Sequence, residues 1–185
     1  MTHFDDIAAQ AIDDYGLITA AQARRMGITD VELNRWTASG KLERLGRGVY
    51  RLSLYVPTPL DKFAAACALA GPGAFIFGDS VLDMHGLAFV NPRAVTVATP
   101  KRLRRTLPSW VRALPAKGYA PVLFEGIPTQ KVADAILWCR GLVMDERLMQ
   151  GADDAFAKGL ITEPERDFLI EKMECRHADK AEQQE

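Results

Sequence analysis

The chain has 185 residues, of which 48% are hydrophobic and 25% charged, and a formal net charge of −1. That length holds one ordinary domain or two small ones, and the balance is that of a globular protein. No apolar run reaches the roughly 18 residues of a membrane span, and the acidic start MTHFDDIAAQ lacks the basic and apolar regions of a signal peptide.

In chain order, Phe4, Ile7, Ala8, Ala11 and Ile12 follow the spacing of a buried helix stripe, and Gly16 punctuates its end. Thr19-Ala-Ala-Gln22 is a capping box: the Thr hydroxyl accepts an orphan N–H while Gln22 reaches back. The helix it opens runs to Met26 and stops at Gly27, a natural left-handed position. Thr29-Asp-Val-Glu32 is a second capping box, with Ile28 and Leu33 at the spacing of a hydrophobic staple; its helix ends at Gly40. Two short helices with a tight Gly-containing turn between them make a helix-turn-helix. Leu42 to Leu52 then reads as two strands around Gly46-Arg47-Gly48, the glycines supplying the positive φ of a tight hairpin. A basic hairpin directly after the third helix is a wing.

Charge is segregated along the chain in a way that the net value hides. Residues 22–51 hold seven basic side chains against three acids, and residues 84–124 hold seven with no acid. From 125 onward acids outnumber basics fourteen to eight. Binding to phosphate depends on local basic surface rather than on the average. Leu33 and Trp36 fall on the inner side of the third helix. Asp30, Val31, Asn34 and Arg35 then face outward near its start, beside the capping Thr29, in the part of a recognition helix that enters the major groove. Arg35 suits a guanine and Asn34 an adenine, while Asp30 caps or accepts from a cytosine amine. Lys41, Arg44, Arg47 and Arg51 are expected at phosphates, Arg47 alternatively in the minor groove. The competing role for Arg35 is a surface ion pair with Asp30 or Glu32. These residues make double-stranded DNA the expected partner.

Residues 53–59 carry two prolines and read as a linker. Beyond it come an apolar helix at 60–70, a strand at 74–77, a short helix opened by Asp79 and Ser80, strands at 94–99 and 121–125, a helix capped by Thr129, and helices near 145–158 and 163–175. The last ten residues read as a disordered tail. The expected fold class is therefore α+β: a winged helix-turn-helix over 1–52, a linker over 53–59, a mixed α/β C-terminal domain over 60–175, and a tail over 176–185. Cys67, Cys139 and Cys175 are odd in number and far apart, so they read as buried thiols in a reducing cytoplasm rather than as a zinc site or disulfide framework. Lys101, Arg102, Arg104 and Arg105 follow a strand and Pro100, and form either a solvated loop or a second basic patch for a phosphate-bearing partner.

On these residues the chain resembles a known family. The stretch from Tyr15 to Leu52, and above all the wing Gly46-Arg-Gly-Val-Tyr50, is similar to the winged-helix domain of AbiEi-type antitoxins. The Gly-Pro-Gly break at 71–73, His85-Gly-Leu87, Gly126-Ile-Pro-Thr129 leading into Val132-Ala-Asp-Ala-Ile-Leu137, and Lys158-Gly-Leu-Ile161 extend the likeness to residue 175. Gln130-Lys-Val132 and Trp138-Cys139 depart from the usual pattern. The resemblance implies a type IV antitoxin linked to phage defence. Such a protein represses its own operon at promoter repeats and counteracts a nucleotidyltransferase-like toxin, without requiring a direct complex. It implies no cofactor and no membrane.

An enzymatic reading finds little support in the sequence. Asp79, Asp83 and His85 are close enough to suggest a metal site, but capping by Asp79 and the different helix faces of Asp83 and His85 argue otherwise. There is no P-loop and no G-x-S-x-G, nor the strand-borne Asp followed by Glu-x-Lys of a nuclease, so no catalytic residue and no metal ligand is expected. The alternatives to a repressor with antitoxin action are a plain transcription factor and a protein–protein module whose basic strip holds an acidic partner.

Overall fold

The computed structural model describes the backbone of residues 3–182 and side chains through Glu174. The N-terminal part runs α1 (His3–Ile12), β1 (Leu17–Thr19), α2 (Ala20–Arg25), α3 (Asp30–Ala38), β2 (Leu42–Gly46) and β3 (Val49–Leu52). Both capping boxes form: Gln22 N–H donates to Thr19 Oγ1 at 3.1 Å and Thr19 N–H to Gln22 Oε1 at 2.8 Å, and Thr29 and Glu32 repeat the exchange. Between the helices Gly27 takes φ 77°, which lets Ile28 N–H reach Ala23 O at 2.9 Å. Ile7, Ala23, Ile28, Leu33 and Trp36 bury together with Leu42, Tyr50 and Leu52, and Phe4 meets the Trp36 ring edge-on at 5.2 Å.

Residues 17–19, which the sequence suggests only as a helix entry, form a strand. Side chains alternate across a strand, and this one has apolar residues for both faces: Ile18 enters the helical core and Leu17 a second one. β1 pairs antiparallel with β3, giving the sheet order β1-β3-β2. The two wing glycines also serve different ends. Gly48 has φ 72° and makes the turn. Gly46 is not in the left-handed region; it lies where the register shifts, and a β-carbon there would collide with Leu69 of the next helix.

The C-terminal part runs α4 (Asp61–Ala70), β4 (Phe75–Ile76), α5 (Asp79–His85), β5 (Val95–Thr99), β6 (Val111–Pro115), β7 (Val122–Phe124), β8 (Ile127–Thr129), α6 (Val132–Trp138), α7 (Asp145–Ala157) and α8 (Glu163–Glu182). Its sheet has the order β6-β5-β4-β8-β7, with β4–β8 and β5–β6 parallel and the other pairs antiparallel. The chain is thus α+β, a winged helix followed by a mixed α/β part. β6 and β8 add to the expected strands. Glu125 (φ 48°) and Gly126 (φ 78°) close β7 onto β8 as a two-residue hairpin, which draws Thr129 into a strand; Lys131, not Thr129, precedes α6. Asp79 and Ser80 do not cap α5. Their oxygens accept from Thr96 Oγ1 (3.0 Å) and Thr96 N–H (2.8 Å), sewing α5 to β5. The segment expected as a tail from 176 falls largely on the last turns of α8, and residues 183–185 lie outside the described residues.

α4 joins the two parts. The face of the wing sheet turned away from the helices, with Leu17, Leu45 and Val49, shares one core with Phe63, Ala66 and Leu69. Residues 53–59 are fastened at both ends. Tyr55 lies against Gly16, where a β-carbon would stand 2.5 Å from the ring. Thr58 donates to Asp61 Oδ1 through N–H (3.0 Å) and hydroxyl (2.6 Å). The Tyr15 hydroxyl donates to the Glu125 carbonyl. Cys67 and Cys139 are unpaired, and burial pushes both thiols up to about 12; the side chain of Cys175 lies outside the described residues. Among the described residues no helix is long and apolar enough to cross a membrane.

Candidate nucleic-acid interface

The second capping box fixes the start of α3. Glu32 accepts Thr29 N–H at 2.9 Å and the Thr29 hydroxyl at 2.9 Å, and His3 Nδ1 lies 3.2 Å from its other oxygen. These bonds, the backbone one first, hold the Glu32 carboxyl down at about 2. Asp30 pairs with Arg24 of α2 at 3.3 Å, tying the two helices across their turn. Both acids expected as partners of Arg35, Asp30 and Glu32, are therefore engaged elsewhere. Arg35 is exposed and its side chain has no hydrogen bond or ion pair among the described residues, and the same is true of the Asn34 side chain. Val31 is 76% exposed, an apolar residue in water on the outer face of a helix whose inner face is sealed by Leu33 (0%) and Trp36 (5%). Thr29, Asp30, Val31, Asn34 and Arg35 thus share one outward surface, but Thr29 and Asp30 spend their polar atoms within the protein.

The basic residues after α3 are distributed over more than one face. Lys41 sits over the Phe4 ring at 4.6 Å and borders a shallow hollow with Arg35. Arg44 stands opposite Tyr50 across the strands, its guanidinium carbon 6.0 Å from the ring centroid. Arg47 is exposed at the wing tip without a partner among the described residues. Arg51 is half-buried and set apart: it pairs with Glu43 directly across the strands at 2.7 Å, on the face turned toward α4.

The second basic segment is divided too. Leu103 and Leu107 pin the loop onto the core while Lys101, Arg102, Arg104 and Arg105 stay exposed. Arg105 turns onto Gly71 at the end of α4, its guanidinium 2.7 Å from where a β-carbon of that glycine would stand, and it borders a cleft with Arg24, Arg25 and Arg47. Sequence reasoning assigned no role to Arg24 and Arg25. Their position in the last turn of α2 was the available signal; their nearness to Arg105 had none. Arg112, which belongs to the same acid-free stretch, finds its acid outside it, lying 3.6 Å from Asp79 and donating to Thr96 Oγ1 at 2.9 Å. Asp79, Asp83 and His85 point to three different neighbourhoods: Thr96 and Arg112, Lys62 at 2.6 Å, and the Phe124 ring at 4.3 Å. Burial, with Lys158 adding to it, lowers the His85 imidazole to about 4.

Residues 5–53 match the family model described as a transcriptional regulator, AbiEi antitoxin. Among solved structures, the crystal structure of the RV2827C protein from Mycobacterium tuberculosis is similar with a TM-score of 0.50, covering 92% of this chain and 72% of that one at 14% identity. That likeness is one of fold. No curated protein matches the chain.

Proposed function

We infer that this chain, whose residues 5–53 form an AbiEi-type transcriptional-regulator domain, binds double-stranded DNA through α3 and the wing and represses its own operon at promoter repeats. The observation that carries this reading is the outer face of α3. Val31, Asn34 and Arg35 are exposed there, and the two polar ones have no intramolecular partner among the described residues. An unpaired Arg and Asn on the first turns of a recognition helix suit bidentate contacts to base edges, and an exposed Val suits a thymine methyl. Lys41, Arg44 and Arg47 supply phosphate contacts; Arg51 supports the wing through Glu43. The same reading makes the chain an antitoxin that works in the cytoplasm against a nucleotidyltransferase-like toxin, without catalysis of its own and without requiring a stable complex.

Binding to the chain's own upstream DNA and to a random duplex, measured by gel shift with wild type and Arg35→Ala, tests the DNA reading. Loss of about 1–3 kcal/mol on the specific duplex, with relaxed preference at one base, is expected. Equal loss on both duplexes reduces Arg35 to a phosphate contact, and absence of a specific complex overturns the proposal. Co-expression with an adjacent nucleotidyltransferase-like gene tests the antitoxin part: growth restored by this chain is the expected outcome.

A further inference from the structure

The N-terminal part faces the C-terminal part across a cleft of about 790 Å³. Its floor is apolar: Leu17 and Val49 of the wing sheet, Ala64 of α4 and Ile127 of β8 are buried beneath it, and Ala68, Pro72 and Pro128 supply its accessible apolar surface. Its rim carries Arg24 and Arg25 from the end of α2, Arg47 from the turn of the wing and Arg105 from the loop between β5 and β6. One acid lines it, Asp14, which accepts from Gln22 at 3.2 Å. Arg24 shares Asp30, whereas Arg25, Arg47 and Arg105 have no carboxylate partner among the described residues. Gly71 and Gly73, at φ 94° and 77°, bring bare backbone to the same rim.

Unpaired arginines converging from distant parts of the chain repel one another and raise the local affinity for anions. A planar guanidinium also matches phosphate oxygens with two donors at once. The volume is that of a small-molecule site, and such sites favour boundaries between domains. A small ligand with an apolar body covers floor and rim together. We propose that this cleft binds a phosphorylated small molecule of nucleotide size, with its phosphates on Arg25, Arg47 and Arg105 and its body over Ala68, Pro72 and Pro128. Since Arg47 is also the wing tip, occupancy withdraws it from DNA; this coupling, unlike the site itself, rests on the DNA-binding reading above.

The test is calorimetric titration of the full chain, without DNA, using ATP and inorganic triphosphate as probes. Saturable binding of one ATP per chain is expected, tighter than that of triphosphate because only ATP covers the floor. Arg105→Gln should weaken ATP about tenfold, the loss expected for one charge-assisted contact. Ala68→Leu, which fills the floor, should weaken ATP but not triphosphate, and Lys117→Gln, exposed and away from the cleft, should change neither. No saturable binding, no effect of Arg105→Gln, or an equal effect of Lys117→Gln overturns the site. In gel shifts on the upstream duplex, ATP should weaken the wild-type complex several-fold and the Arg105→Gln complex less. ATP that binds the chain yet leaves DNA affinity unchanged overturns the coupling. A chain that binds ATP but no DNA instead overturns the DNA reading and leaves the site standing.

Discussion

Arg35 and Arg51 have the same side chain and opposite circumstances, and the difference comes from their neighbours. Glu43 faces Arg51 across two strands, whereas the acids near Arg35 are claimed by a backbone N–H, a histidine and Arg24. Glu32 is the pivotal member of that arrangement. Its carboxyl falls from the usual 4.5 to about 2 in the folded chain, so its stabilising effect is complete above about pH 4.5 and disappears as the pH falls toward about 2. Glu32→Ala should therefore melt earlier than wild type at about pH 6, and the gap should close as both are acidified. Melting curves at a series of pH values check this; a gap independent of pH would mean that the ionised carboxylate is not what holds the start of α3. Glu165 shows the same lowered carboxyl for the same reason, its backbone bond from Thr162.

At the scale of elements, the capped helices were legible because a capping box is local: four consecutive residues contain both partners. β1, β6 and β8 were harder to read. Each is short, and each depends on pairing that its own residues do not announce: β1 on β3 and β8 on β4, both far along the chain, and β6 on β5 across a long loop. The Gly-Arg-Gly tip of the wing does announce a hairpin, but only Gly48 has the dihedral of a turn; Gly46 serves the close approach of Leu69. Of the interface, the outward face of α3 followed from helical spacing, while the separate surroundings of Arg51 and Arg105 depend on folding at long range. Two substitutions probe these elements. Trp36→Ala, which removes the ring under Phe4 and between helix and wing, should cost about 3–5 kcal/mol in chemical unfolding. Gly46→Ala forces a methyl into a Leu69 side chain that is 3% exposed, and should cost about 1–3 kcal/mol as an overpacked contact. A harmless Gly46→Ala would show that the wing does not press on α4. For the wing tip, Arg47→Ala should weaken binding to every duplex and flatten the slope of log affinity against log salt, since one phosphate contact is lost. An unchanged slope would take the tip out of the interface.

At the scale of the whole molecule, the two parts have two sheets but share α4. Leu17 and Val49 are 5% and 3% exposed only because that helix covers them. Local opening follows the units that bury apolar surface together. Backbone amides of β3 and α4 should therefore exchange with solvent deuterium at similar protection, reporting one cooperative unit. A β3 that exchanges much faster than α4 would show the wing to be an independent module.

The position of α4 also bears on heredity. A winged helix joined by a short proline-bearing segment invites the view that readers of DNA can be traded between proteins by cutting at that segment. Here a crossover at residues 53–59 would separate Leu17, Leu45 and Val49 from the helix that covers them, and Gly46 from the leucine for which it makes room. A viable exchange has to carry α4 along or arrive with a wing whose outer face already fits the new helix. In such a lineage the outer face of the wing sheet and the inner face of α4 should change together, while the base-reading positions of α3 remain at liberty to drift with the operator.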